Sequence, residues 1–350
     1  MGANFTGKNL IFLISQPRAG STMLQKILGS HPEIYTVSEP WLLLHPFYLL
    51  KNQGYNAEYN AKWSREALKS FFELFPNKEQ VYIETVANTY GKLYEKALLQ
   101  TDKKFFLDKT PRYYNIIPEL VSAFPEAKFI ILLRNPLAVL CSIISTWIIP
   151  DQRRWFYLID YKRDLIDAPE LLIKGVDLLQ NKDRFVLIHY EKLLQNPEKE
   201  LSILCDKLEI NFVSNLLEND NNNFAQWKLG DKKNPYNSSQ PNNKNIESWH
   251  QSLNSPQNWR LVSDYLDFLG KDTIKSMGYD YENMRQYLDQ YSSHYFLPLF
   301  ATFSLEYLLN KPSNYLAAEY RHYRIKIANK LEKQGIWHSF AKLPEKIDTT

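Results

Sequence analysis

The chain has 350 residues, is 44% hydrophobic and 23% charged, and carries a formal net charge of +3. That apolar fraction suffices for a substantial core, and the near-neutral balance excludes a whole-molecule field that would draw nucleic acid. No run reaches the roughly 18 apolar residues of a membrane span, and Cys141 and Cys205 lack metal-ligand spacing, which predicts a reduced, cytoplasmic protein with no metal site.

The first apolar run, 10–14, is too short for a signal segment and predicts a core strand. It leads into the turn Ser15-Gln16-Pro17-Arg18-Ala19-Gly20-Ser21-Thr22 and then a helical pattern, 23–28. Further strand-like runs stand at 81–83, 105–107, 129–133 and 185–188, with helical patterns at 64–75, 89–99, 116–124, 137–147 and 168–179. Strands alternating with helices predict an α/β fold, a P-loop-like parallel sheet flanked by helices on both faces, with ligands at the carboxyl ends of the strands. The run 129–133 has no polar alternation, as a doubly buried central strand requires.

The segment 219–245 is rich in Asn, Lys, Pro and Ser and reads as a long loop, a lid or binding element. Helical pattern resumes at 246 and continues to about 276. Residues 281–350 read as aromatic-rich helices, so the expected division is an α/β domain over 1–280 and a helical extension over 281–350. That extension either completes the core or lines an acceptor cleft.

Strand, small-residue turn and helix start together aim backbone N–H groups at one point where an anion can sit. Gly20 allows close approach, Ser21 and Thr22 add hydroxyls, and Arg18 adds a planar cation. The turn lacks the Lys that a Walker motif carries after its second Gly. A second anion site is expected where Arg134 follows the central strand. Pro136 suits the first turn of the next helix, and Ser142 lies eight positions after Arg134.

These residues resemble the sulfotransferases that use 3′-phosphoadenosine 5′-phosphosulfate (PAPS). The segment from Pro17 to Thr22 is similar to their 5′-phosphosulfate loop, and Arg134 with Ser142 is similar to their 3′-phosphate pair. Asp108-Lys109-Thr110-Pro111-Arg112-Tyr113 and His189-Tyr190-Glu191-Lys192-Leu193 follow in the order expected of the bacterial and tyrosylprotein branches. The resemblance implies that PAPS contacts Arg18, Ala19, Gly20, Ser21, Thr22, Met23, Arg134, Ser142 and Tyr190. Lys244 would be the lid cation, with Lys232 and Lys233 as rivals. The phenol and steroid branch has a Trp where this chain has Met23, and a His in the block where this chain has Lys109-Thr110-Pro111.

The tyrosylprotein branch instead has a catalytic Glu after a His-Pro. Here His31-Pro32 leads to Glu39, twenty-one positions beyond Arg18. Glu39 is thus the implied general base, with an ion pair to Arg18 as its structural alternative and His45 as a second candidate base. Arg18 and Lys109 would stabilise charge in an in-line displacement. The acceptor would be a hydroxyl on a sugar, phenol, lipid or carrier-bound acyl chain. The aromatic segments 41–50 and 147–161 could line its cleft or belong to the core. Two other readings are a small-molecule kinase and a non-catalytic binding module of the same fold.

Overall fold

The structure, a computed structural model, describes residues 5–51, 59–148, 158, 161–217 and 246–292. Its centre is a five-stranded sheet formed by β1 (Leu10–Ser15), β2 (Ile34–Val37), β3 (Phe105–Lys109), β4 (Lys128–Leu133) and β5 (Phe185–His189). The order across the sheet is β2-β3-β1-β4-β5, and every pairing is parallel. Because β1 is flanked by β3 on one side and β4 on the other, the chain reverses its direction of winding there. In open parallel sheets that reversal leaves a crevice at the carboxyl ends of the strands.

The two faces of β1 enter different cores. Phe12 packs with Tyr94, Tyr113, Phe124 and Phe129 beneath α4 (Glu79–Leu98), α5 (Ile117–Ala123) and α7 (Ala168–Leu179). Ile11 and Leu13 pack with Ile130 and Leu132 against α1 (Ser21–Gly29) and α9 (Pro197–Lys207). Alternation along a strand sends successive side chains to opposite faces, so a strand buried on both faces must be apolar throughout. A third cluster gathers α6 (Pro136–Ile143), α10 (Pro256–Ser276) and α11 (Tyr281–Ser292), with Tyr265, Met284 and Leu288 buried in it.

One expectation needs correction. The run 81–83, read as a strand, lies inside α4, whose inward face carries Val86, Ala87, Gly91 and Tyr94. Three β-prone residues cannot distinguish a period of two from 3.6, and the stripe that continues to Tyr94 is helical. The strand next to β3 is instead β2, which buries Ile34 and Thr36 in alternation. The helix expected over 137–147 is α6, continued by one π-helical turn over Ile144–Ile148. No helix among the described residues is long and apolar enough to cross a membrane.

Candidate active site

The turn after β1 bends back on itself through two left-handed residues, Arg18 (φ 70°) and Gly20 (φ 96°). A positive φ is rare for a side-chain-bearing residue and clusters at functional sites. The buried Gln16 fastens the turn, donating from Nε2 to the Asp164 carbonyl at 2.9 Å, and its own carbonyl accepts from the Ala19 amide at 3.2 Å. Helix α1 then begins at Ser21 with no acidic residue in its first turn. The Ser21 and Thr22 amides have no acceptor inside their own helix and sit at its positive end.

Tyr190, which opens α8 (Tyr190–Gln195) at the end of β5, lies directly on this turn. A Cβ on Gly20 would fall 2.4 Å from the Tyr190 ring carbons, so only glycine allows the contact. The Arg134 guanidinium carbon stacks 4.4 Å from the centroid of the same ring. Arg134 Nη1 donates to the Arg18 carbonyl at 2.9 Å, while its Nε is buried with no partner. Arg18 Nε in turn donates to Ser142 Oγ at 3.1 Å. The structure thus brings Arg18, Gly20, Arg134, Ser142 and Tyr190 into one cluster. Ser142 meets Arg18, not Arg134, which enters through the loop carbonyl.

Helix α6 is aimed at this cluster by its cap. Asn135 accepts from the Leu137 and Ala138 amides, and Pro136 occupies the first turn. The Asn135 amide donates to Glu191 Oε1 at 2.9 Å, and Tyr279 Oη donates to Glu191 Oε2 at 2.7 Å. Sequence reasoning missed Tyr279: it lies 88 residues from Glu191, and no local pattern marks it.

On the β3 side of the turn, the buried Lys109 Nζ donates to Glu39 Oε1 at 2.7 Å and to Thr22 Oγ1 at 3.4 Å. Glu39 Oε2 accepts from Trp41 Nε1 at 3.1 Å. Glu39 is therefore paired with Lys109 instead of Arg18, and its side chain keeps 19% of its surface open. Trp41 is also left-handed, with φ 53°. Its ring lies 5.3 Å from the Arg112 guanidinium carbon, and Arg112 itself is clamped by Asp164 through Nε at 3.0 Å and Nη2 at 2.7 Å. The Asp164 charge holds the Arg112 guanidinium well above its ordinary pKa despite burial. Asp164, in a π-helical turn, carried no sequence signal.

His45 sits exposed on α2 (Leu44–Tyr48), and Met23 is half-buried against the α1 core. In the segment 41–50, Leu43, Leu44 and Phe47 are core residues, while Trp41 faces the Glu39 carboxylate. Lys232, Lys233 and Lys244 lie outside the described residues, as do most of 147–161 and all of 293–350.

Against models of protein families, residues 10–214 match the sulfotransferase family. The chain belongs to that family. Nodulation protein NoeE of Sinorhizobium fredii is 25% identical over 294 residues, covering 77% of this chain and 66% of NoeE. Protein-tyrosine sulfotransferase 1 of Danio rerio is 25% identical over 203 residues, covering 57% of this chain and 53% of that enzyme. The chain thus spans about two thirds of one relative and about half of the other. The sulfotransferase domain of the Synechococcus PCC 7002 olefin synthase superposes with a TM-score of 0.50 at 23% identity, covering 85% of this chain and 99% of that one. The corresponding domain from the curacin biosynthetic pathway also gives 0.50, at 20% identity, over 79% and 99% of the two chains. Both share the fold.

Proposed function

We propose that this sulfotransferase moves the sulfuryl group of PAPS to an acceptor hydroxyl by in-line displacement, with Glu39 as general base. The observation that carries the reading is the Glu39–Lys109 pair at 2.7 Å, held against Thr22 of the anion turn. It joins a partly open carboxylate to a buried ammonium at the crevice where the sheet reverses.

The residues fit PAPS. The α1 amides, Thr22 and Arg18 suit a 5′-phosphosulfate, and Arg134 with Ser142 suits a 3′-phosphate. The buried, partnerless Arg134 Nε marks a donor still to be satisfied. Tyr190 supplies an aromatic face beside them. When bound, PAPS supplies the sulfuryl group and a nucleotide leaving group.

The chain's own residues do the rest. Glu39 takes the proton of the acceptor hydroxyl, and Trp41 and Lys109 fix the direction of its two oxygens. Lys109 and Arg18 supply positive charge where negative charge develops, in a setting that excludes much of the water that would screen it. The acceptor classes are a sugar, phenol, lipid or carrier-bound acyl hydroxyl. Incubation with radiolabelled PAPS and a panel of such hydroxyl compounds tests the activity. Labelled product with one of them is expected, and a panel with none beyond hydrolysis would contradict it.

The Gly20–Tyr190 contact gives a sharp expectation. Gly20→Ala combines a strained φ with a Cβ driven into the Tyr190 ring. Affinity for 3′-phosphoadenosine 5′-phosphate (PAP) is expected to fall by roughly 5–150-fold, on the scale of 1–3 kcal/mol for overpacking. Calorimetry on the folded variant reads this, and wild-type affinity would show that Tyr190 is not seated on the turn.

A further inference from the structure

The β3 end holds a buried polar cluster that the reaction as described does not use. Asp108 is buried beside Lys109, and its Oδ2 accepts from Tyr94 Oη at 2.6 Å and from Tyr113 Oη at 2.9 Å. Its Oδ1 accepts from Thr110 Oγ1 at 2.8 Å. Two of those hydroxyls also receive backbone amides from the segment that follows Glu39. The Leu43 amide donates to Tyr113 Oη at 3.1 Å and the Trp41 amide donates to Thr110 Oγ1 at 3.4 Å.

An ionised carboxylate only accepts, so it forces every hydroxyl around it to act as donor. That turns the lone pairs of Thr110 and Tyr113 outward. Amides only donate, and those lone pairs are what the Trp41 and Leu43 amides meet. The cluster is therefore a directional link from Asp108, through two hydroxyls, to the stretch that carries Glu39 and Trp41.

We infer that Asp108 is a positioning residue that sets the register of the Glu39 segment against Lys109, an inference that rests on Glu39 being the base. Asp108 reaches both members of the pair. Lys109 is its neighbour on β3, and Glu39 is held through Trp41, whose indole bonds the carboxylate and whose amide bonds Thr110. The arrangement is selective for a carboxylate. An Asn at this position would present an amide hydrogen to at least one of the hydroxyls, which would spend a lone pair on it, turn its own O–H away from position 108 and lose the orientation in which it meets the Trp41 or Leu43 amide. Burial pushes the Asp108 carboxyl up to about 6, against the pull of the three hydroxyl donors and of Lys109. Those donors are what keeps a charge in this position near neutral pH.

The test uses Asp108→Asn, Thr110→Val, the reference variant Glu39→Gln and the double variant Asp108→Asn/Glu39→Gln in the full chain. Three readouts are taken: PAP affinity by calorimetry, exchange of the amides in 41–43, and PAP release from PAPS. Release is measured with the best acceptor of a hydroxyl panel in which water is included. Asp108→Asn is expected to leave PAP affinity unchanged and raise amide exchange in 41–43 by about tenfold. It should slow PAP release by roughly 10–100-fold, the scale of a misplaced catalytic group. In the Glu39→Gln background the same substitution is expected to slow release no further. Thr110→Val, which removes the hydroxyl between Asp108 Oδ1 and the Trp41 amide but leaves the Tyr113 link to Leu43, is expected to show a smaller loss of the same kind, and it carries the test if Asp108→Asn does not fold.

Wild-type release in the folded single variants overturns the inference, as does an equal fold-loss with and without Glu39. If Glu39→Gln itself releases PAP at the wild-type rate, the base assignment fails instead. The link from Asp108 to the segment then stands or falls on the exchange of 41–43.

Discussion

Glu39→Gln is expected to lower sulfuryl-transfer turnover by roughly 10²–10⁴-fold while leaving PAP affinity nearly intact, the usual scale for a lost general base. The amide keeps the shape of the carboxylate and can still accept from Lys109 Nζ or Trp41 Nε1, so the site should remain assembled. What it loses is the capacity to take a proton. Lys109 is buried and would keep a hydrogen bond without its counter-charge, so some loss of stability is expected beside the kinetic effect, and both readouts are taken on the folded variant. Steady-state rates with a labelled acceptor, together with PAP calorimetry, read the two effects separately. Unchanged turnover would remove Glu39 from the chemistry. Equal losses in binding and turnover would make it a structural ion-pair partner of Lys109.

Arg134→Ala is expected to weaken binding of 3′-phosphorylated nucleotides by about 2–4 kcal/mol, the cost of losing one member of a desolvated charged pair. Two contacts and one unmet donor raise the stakes at this residue: its bond to the Arg18 carbonyl, its stacking on Tyr190, and a buried Nε with no protein partner among the described residues. The first two hold the turn, so nucleotides without a 3′-phosphate should lose some affinity as well, though distinctly less. The difference between the two losses is the part that belongs to the 3′-phosphate. Calorimetric titration of wild type and variant with PAP and with adenosine 5′-phosphate measures it, and equal losses would assign Arg134 to the scaffold alone.

What the sequence made legible was local. The strand 10–14, the turn with Arg18 and Gly20, and the helix after it form one continuous stretch, so their geometry follows from neighbouring residues. Arg134 after β4 and Tyr190 after β5 were legible for the same reason. The pairing among these pieces was not, because it depends on strand order. Arg18 and Ser142 are 124 residues apart and meet only because β1 and β4 are neighbours. Lys109 and Glu39 meet because β2 and β3 are neighbours, with Val37 opposite Asp108. The run Ile34-Tyr35-Thr36-Val37 of β2 is broken by a Thr and does not stand out, whereas the uninterrupted Val81-Tyr82-Ile83 draws a strand reading that the longer helical stripe overrides. Asp164, which holds Arg112 and receives Gln16, acts through tertiary contacts alone. Asp108 was visible within its block, but its role depends on Tyr94 and on the amides of Trp41 and Leu43, none of which is adjacent to it.

Under the proposed function, the one cluster of Arg18, Gly20, Arg134, Ser142 and Tyr190 offers two phosphate sites, the turn after β1 and the Arg134 side, and selects a nucleotide that carries both a 5′- and a 3′-phosphate. Calorimetric titration of the wild-type chain with PAP and, in parallel, with ATP tests it most directly and needs no knowledge of the acceptor. The prediction is tight binding of PAP and little or none of ATP, whose triphosphate has no group for the Arg134 cluster. ATP binding as tightly as PAP would show that the site does not select the 3′-phosphate.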